Sequence, residues 1–422
     1  MPSESDGGES RLARKLGLSD AVTIGLGAMV GSGIFAVLGP AAEAAGPGLL
    51  AGLAVAAVIA YANATSSAQL AARFPEAGGT YVYAGRMIGP FWGYLAGWGF
   101  VVGKIASLSV MALTVGNYAF PDQPRVAAVV AVVVMTVINY RGVEKTARAT
   151  RVIVVLVLAV LALVVVLAFG AETADVGNLV GETTPLGVLR SAGLLFFAFA
   201  GYARIATLGE EVTDPRRVIP RAIPLALVIT LGVYVAVAAG ALAAVGAEAL
   251  ASSAAPLATA VGSAGSWVGP AVRVGATVAS LGVLLSLLAG VSRTMFAMAR
   301  DGHLPVVLGR VHPRHQTPYW AEVVAAVVVL GVVLSWDLAR AVGFSAFNVL
   351  VYYGLANLSA FRQTDADRRW PRWLQIVGLV GCGILAGSLP LSSIVWGVAT
   401  LAYGAFVWWL RHRSVRRGAS PP

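Results

Sequence analysis

Charged side chains are scarce in this sequence. They make up 12% of 422 residues, while 58% are apolar, against about 25% charged and 45–50% apolar in a soluble globular domain. Too few polar groups exist to cover a water-exposed surface, which excludes an ordinary soluble enzyme. Cysteine is nearly absent. Cys382 stands alone, so no internal disulfide and no cysteine-based metal site can form, and cysteine usage carries no signal of compartment. Histidine is almost as rare. His303, His312, His315 and His412 all fall outside the apolar runs, and the His312/His315 pair sits in a proline-rich stretch without the third ligand a metal site needs. No Gly-x-x-x-x-Gly-Lys-[Ser/Thr] phosphate loop occurs, so nothing points to ATP as an energy source or to any other cofactor. The 49 glycines show no fixed period, which excludes a collagen-like chain. They lie inside the apolar runs, where small residues let helices approach closely.

Those runs are the dominant feature. Most are 17–25 residues long, the length a helix needs to cross about 30 Å of hydrocarbon. Twelve are expected, near 21–46, 48–72, 88–119, 124–140, 150–170, 185–208, 222–246, 268–298, 318–335, 339–361, 373–389 and 391–410. The stretch from Gly79 to Met87 reads as a cytosolic interfacial piece ahead of the third. Proline marks most connections: Pro75, Pro121 with Pro124, Pro220, Pro305 with Pro313, and Pro390. Basic residues set the orientation. With the N-terminus in the cytosol, 24 of the 30 Lys and Arg fall inside and four outside (Arg125, Arg190, Arg273, Arg340), leaving Lys104 and Arg204 within runs. Both termini are therefore expected in the cytosol. The net charge of +10 is accounted for by loops facing anionic lipid headgroups rather than by nucleic acid.

Two runs are interrupted at matching places. The first carries Gly31-Ser32-Gly33 at its centre; the sixth carries Gly201. Glycine-interrupted segments at corresponding positions of two halves point to a transporter binding site. The reason is physical: an unwound stretch frees N–H and C=O groups at membrane depth, which persist only where they line a cavity or meet a ligand. The half-helix starting near Ile34 directs free N–H groups and a positive dipole end into the gap, which suits a carboxylate. The carbonyls near Met29 and from Phe197 to Ala200 suit an ammonium group. An α-amino acid carries both charges on one carbon. The competing reading is that these glycines only permit close helix packing.

At these residues the chain resembles the amino acid–polyamine–organocation (APC) superfamily of permeases. Gly27-Ala28-Met29-Val30-Gly31-Ser32-Gly33-Ile34-Phe35 resembles its helix 1 signature. Phe196 to Pro220 resembles helix 6 with its following loop, and Arg293 to Pro318 the loop after helix 8. The resemblance implies an all-α polytopic membrane protein of the LeuT type, a 5+5 inverted repeat with broken helices 1 and 6. Residues 1–18 would form a cytosolic tail, 19–170 the first repeat, 171–365 the second, 366–411 helices 11 and 12, and 412–422 a second cytosolic tail. By resemblance to arginine–agmatine antiporters, Ser32 and Gly33 bind the substrate carboxylate. The carbonyls of Met29, Phe197 and Ala200 take the amine, and Phe197 closes over the substrate. Core packing is the alternative role for Phe197, as for its neighbours Phe196 and Phe199. Ala28, Met29, Ala198 and Ala200 make the pocket mostly apolar.

The sequence also departs from that pattern. Where many relatives carry an acid after the glycine–aromatic pair of helix 6, Ala203 and Arg204 follow Gly201-Tyr202. The run from Val152 to Gly170 has no ionisable residue, although some proton-coupled relatives carry a lysine there. Lys104 lies mid-run in the third helix, at a cost of at least about 2.5–3.5 kcal/mol on insertion scales. It is expected either to couple transport to protons or to hydrogen-bond carbonyls freed at the breaks. Arg204 stays protonated and is expected to form a cytosolic gate by pairing with Glu210, Glu211 or Asp20. The acid-free surround argues for neutral L-amino acids as substrate, moved across the cytoplasmic membrane by a secondary transporter using proton coupling or exchange. An anionic amino acid permease, a transporter-like sensor and a channel remain as alternatives.

Overall fold

The computed structural model describes residues 16–74, 78–142, 147–206 and 211–418, and apart from one isolated bridge the regular structure there is helical. In chain order the α-helices are α1 (Leu18–Met29), α2 (Gly33–Ala45), α3 (Leu49–Arg73), α4 (Thr80–Met87), α5 (Pro90–Ala119), α6 (Pro124–Tyr140), α7 (Ala147–Phe169) and α8 (Pro185–Phe199). They continue with α9 (Ala203–Ala206), α10 (Pro215–Ser252), α11 (Pro256–Ala260), α12 (Val268–Arg300), α13 (Tyr319–Ser335), α14 (Leu338–Phe361), α15 (Arg372–Ser388) and α16 (Leu391–Gly418). Among the described residues, eight helical stretches are long and apolar enough to cross a membrane, and α1, α6, α13 and α15 are shorter apolar helices.

Local chemistry explains many of the starts. Proline opens α5, α6, α8 and α10, where its missing N–H costs nothing. The Thr184 hydroxyl accepts the Gly187 N–H at 3.0 Å, and the Asp337 carboxylate accepts the Arg340 N–H at 2.7 Å, capping α8 and α14. Gly89, at φ +147°, takes a backbone conformation that side chains disfavour. With Pro90 it separates α4 from α5, as expected of an interfacial piece before the third run. Pro220 behaves differently from expectation: it lies inside α10, as does Pro224, and marks no connection. They are the sixth and tenth residues of that helix, and each leaves the carbonyl four residues earlier without a helical donor.

α5 packs chiefly against α14 and α12, and α14 also against α15. α5 and α14 form the centre. In its most apolar eighteen residues α14 is 89% buried, whereas α16 is 17% buried. Exposed Val152, Val155 and Val166 on α7, and Val395, Trp396 and Phe406 on α16, thus form the apolar outside that lipid covers. The expected outer arginines cap helix ends: Arg190 Nε donates to Ser388 O at 3.3 Å, and Arg273 donates to Asn117 O at 3.3 Å and Tyr118 O at 3.4 Å. Near the other end, α4 is clamped down. The Tyr81 hydroxyl donates to the Asp301 carboxylate and lies 2.8 Å from His303 Nδ1, and Arg411 donates to Gly302 O at 2.6 Å. Burial first, then the Asp301 carboxylate, holds the Tyr81 phenol well above its ordinary pKa, so it remains a donor.

Candidate substrate site at the paired helix breaks

Both interruptions are present. α1 ends at Met29, three turn residues follow, and α2 begins at Gly33. α8 ends at Phe199, a 3-10 turn covers Ala200–Tyr202, and α9 begins at Ala203. The breaks also pack on each other reciprocally. A Cβ on Gly201 would lie 2.3 Å from Ala28 O and 2.7 Å from Met29 N; one on Gly33 would lie 2.8 Å from Ala198 Cα. Both glycines are therefore needed for backbone-to-backbone contact between the two broken segments. This gives Gly33 a packing reason that does not depend on any ligand.

The expected site residues converge here. Met29 and Ser32 are each 1% exposed, Ile34 0%, Phe197 6%, and Ala198 and Ala200 3%. Ala36 N–H donates to Ser32 O at 3.1 Å, so the N–H groups of Gly33, Ile34 and Phe35 precede the first closed turn of α2 and have no partner within the helix. The Ser32 hydroxyl is directed at Met111 Sδ on α5. Of the three phenylalanines, Phe196 packs edge-on against Tyr353 with centroids 5.8 Å apart, and Phe199 against Tyr234 at 5.1 Å. Phe197 makes no ring–ring contact among the described residues, which separates it from its two neighbours.

Two tyrosines that sequence reasoning missed hold the freed carbonyls. Tyr234 on α10 donates to Met29 O at 2.6 Å and reaches Ala198 O at 3.1 Å. Tyr353 on α14 donates to Ala200 O at 3.0 Å, and its ring stacks on Tyr202 at 5.0 Å. Two of the three carbonyls assigned to an ammonium group, those of Met29 and Ala200, thus already have a donor, although each oxygen keeps a second lone pair. The available signal was two tyrosines within apolar runs, since a buried phenol needs a hydrogen-bond partner. Tyr353 is anchored in turn. Asn357 one turn on donates to Tyr353 O at 2.9 Å and to Asn63 Oδ1 at 2.5 Å, and accepts from Ser66 at 2.7 Å.

Lys104 shares a face of α5 with Met111, two turns and about 10 Å along the axis. Gly97 lies two turns the other way, and a Cβ there would meet Met298 Sδ on α12 at 3.1 Å. The Lys104 ammonium lies 5.9 Å from the Phe100 ring centre, a cation–π distance. Among the described residues it has no ion pair and no hydrogen bond to break carbonyls, contrary to the structural reading of it. Arg204 lies part-buried on α9. Asp20, one expected partner, pairs instead with Arg151 at 2.9 Å, and Glu210 lies outside the described residues.

A cavity of about 380 Å³ opens at the end of the bundle opposite α4. Gly39, Pro40 and Glu43 line it from α2, Leu113 and Asn117 from α5, and Arg125 and Asp337 complete its charged rim. Glu43 thus lines this cavity. Leu113 is two residues from Met111, which touches Ser32, so the cavity floor comes within about one helical turn of the breaks without including them.

Paired breaks, freed carbonyls and a nearby cavity suit a membrane carrier, and the sequence comparison decides which kind. Residues 20–402 match the amino acid permease family. The chain belongs to that family. An uncharacterized transporter of Mycobacterium tuberculosis is 56% identical over 409 residues, covering 96% of this permease and 93% of the relative. The branched-chain amino acid permease BcaP of Bacillus subtilis is 29% identical over 448 residues, covering 96% and 94%. Human cationic amino acid transporter 4 is 30% identical over 381 residues, covering 83% of this chain and 60% of that one. The family and these relatives are transporters rather than enzymes. The permease is accordingly a multi-pass membrane protein with small-molecule cargo.

Proposed function

We propose that this permease moves neutral L-amino acids across the cytoplasmic membrane by alternating access, as a secondary transporter with proton coupling or exchange. The observation that carries the reading is the reciprocal packing of the two breaks, Gly33 on Ala198 and Gly201 on Ala28. It puts the N–H groups opening α2 beside the carbonyls ending α1 and α8. The α2 end takes the carboxylate through Ser32, Gly33 and Ile34. The carbonyls of Met29, Phe197 and Ala200 take the ammonium, displacing or sharing with Tyr234 and Tyr353, and Phe197 closes over the side chain. Ala198 and Gly201 form the apolar wall between them.

In this reading α1 with α2 makes the first crossing, α3, α5, α6 and α7 the next four, and α8 with α9 the sixth. α10, α12, α13, α14, α15 and α16 complete twelve. Residues 19–170 and 171–365 are then the two inverted repeats of a LeuT-type fold, with both termini cytosolic. The outer cavity is the entry path, and Arg204 with Glu210 belongs to the cytosolic side. The acid-free surround of the breaks supports a neutral cargo, as does the branched-chain name of one relative. Lys104, without an ion pair among the described residues, supports two readings. As a proton carrier it couples transport to a pH gradient without sodium. As a fixed charge it draws anionic amino acids.

Competition against labelled leucine in proteoliposomes separates the two. Alanine, leucine and methionine should compete better than glutamate and aspartate, and the reverse order overturns the neutral reading. Trans-stimulated counterflow is expected as well, since a sensor binds without exchange and a channel shows no trans-stimulation.

A further inference from the structure

We propose that Asn348 on α14 is a positioning residue for Lys104: its Oδ1 receives the ammonium when the lysine turns from Phe100 toward α14. The proposal rests on the reading above in which Lys104 acts in transport, and it names the group that seats the charge. Two side chains on one helix seam each lack what the other offers. The Lys104 ammonium lies 5.9 Å from the Phe100 ring centre and has no ion pair among the described residues. Asn348 is fully buried. Its Nδ2 donates to Phe344 O at 3.0 Å, which fixes the end of the amide that carries oxygen. Its Oδ1 accepts no hydrogen bond among the described residues. A buried carbonyl without a donor is costly, and a buried ammonium without an acceptor more so.

The register brings the two level. Ser107 Oγ lies 2.8 Å from Ser345 Oγ. A Cβ on Gly103 would lie 2.8 Å from Asn348 Cβ, and Phe100 meets Tyr352 with ring centroids 5.2 Å apart. Residue numbers fall along α5 as they rise along α14, so the pair is antiparallel. Positions 100, 103, 104 and 107 share one face of α5, and 345, 348 and 352 one face of α14. Lys104 follows Gly103 by one residue, a rise of about 1.5 Å. Helical side chains lean toward the start of their own helix. In an antiparallel pair Lys104 therefore leans toward Phe100 and Asn348 toward Phe344, and a rotamer change is needed to join them. Other acceptors on the seam are engaged. The Tyr352 hydroxyl accepts the Thr80 N–H at 2.9 Å, and Ser107 Oγ also lies 3.1 Å from Gly103 O. The acids on helices packed against α5 are Glu43 of α2 and Glu322 in the first turn of α13. Neither pairs with Lys104 among the described residues. A neutral oxygen gives the ammonium a charge-assisted hydrogen bond without the opposite charge that would trap it.

The test is a double-mutant cycle read by thermal unfolding of the purified full-length protein. Asn348→Leu removes the oxygen at similar volume. With Lys104 present it should lower the unfolding temperature. In the Lys104→Met background the oxygen has no donor to lose, so the same substitution should leave that temperature unchanged or raise it. Asn348→Thr, which keeps a side-chain oxygen, should lie closer to the unaltered protein than Asn348→Leu does. In proteoliposomes Asn348→Leu should cut leucine accumulation driven by an imposed pH gradient at least fivefold relative to counterflow exchange, and Asn348→Thr should recover most of it. If Asn348→Leu does not fold, Asn348→Ala taken through the same cycle should show the same difference between backgrounds. Equal shifts with Lys104 and with Lys104→Met overturn the seat. A shift that depends on Lys104, together with full pH-driven accumulation by Lys104→Met, leaves the seat standing and overturns the proton-carrier reading instead.

Discussion

At the first break three turn residues, Val30 to Ser32, part α1 from α2; at the second a single 3-10 turn replaces them. The freed carbonyls are also held from different places. Tyr234, which bonds Met29 O and Ala198 O, sits on α10, a helix that packs along α1, α2, α3 and α7. Tyr353, which bonds Ala200 O, sits on α14, whose main neighbours are α5 and α15. The first break is thus tied to a helix that runs beside the broken pair, and the second to the centre of the bundle. If the pair rocks against α5 and α14, the Tyr234 bonds can travel with it, whereas the Tyr353 bond lies across the moving boundary.

The largest expected effect tests the reciprocal packing itself. Gly201→Ala places a methyl group against Ala28 backbone, and Gly33→Ala against Ala198. Overpacking of this kind costs about 1–3 kcal/mol or more, and Gly201 has the closer obstacle. Thermal unfolding of the purified protein should fall for both and further for Gly201→Ala, with exchange abolished. Equal, small shifts would mean that the breaks do not touch.

Next comes Lys104, two turns along α5 from the Met111 that meets Ser32. Lys104→Arg keeps the charge but cannot release the proton. Amino acid accumulation driven by an imposed pH gradient should be lost, while substrate binding and exchange survive. Full accumulation by this variant would falsify the coupling role.

Ser32→Ala weakens the carboxylate end only. The expected loss of affinity is about 1.5–3 kcal/mol, the worth of a hydrogen bond to a charged group, read by ligand-induced thermal shift. Leucinamide, lacking the carboxylate, should bind poorly to the unaltered protein.

Paired tyrosine variants sharpen the comparison directly. Tyr234→Phe removes the single O–H that Met29 O and Ala198 O share and should cost about 1–3 kcal/mol of stability. Tyr353→Phe should cost less stability and shift the ratio of outside to inside KM. Identical behaviour of the two would remove the distinction between the travelling and the boundary bond.

The smallest effect belongs to the outer cavity. Arg125→Gln or Glu43→Gln should change the outside KM by no more than an exposed charge pair is worth, about 1 kcal/mol. Added salt should mask the change, and the inside KM should not move.

Much of this was legible without coordinates. The length of the apolar runs, the separation of α4 from α5 at Gly89-Pro90, and the position of both breaks follow from single residue types with strong backbone consequences. Pro220 was misread because proline marks helix starts as well as connections, and α10 begins at Pro215, five residues earlier. The tyrosine bonds could not be read at all. Met29 and Tyr234 are 205 residues apart, and nothing local to either names the other. The pairing of Asp20, one of three partners expected for Arg204, with Arg151 was hidden for the same reason. Arg151 and Arg204 are both basic residues at helix ends, and only the packing of α1 against α7 chooses between them.

The sequence by itself determined that the chain is helical and membrane-embedded, and where two helices must break. Hydrophobic length and glycine or proline backbone preferences act within a few residues, and they need no distant partner. The tertiary structure alone decided which donors satisfy the freed carbonyls and which end of the bundle carries the cavity. Those outcomes depend on contacts between residues far apart in the chain, where small differences in helix placement choose one hydrogen-bond partner over another.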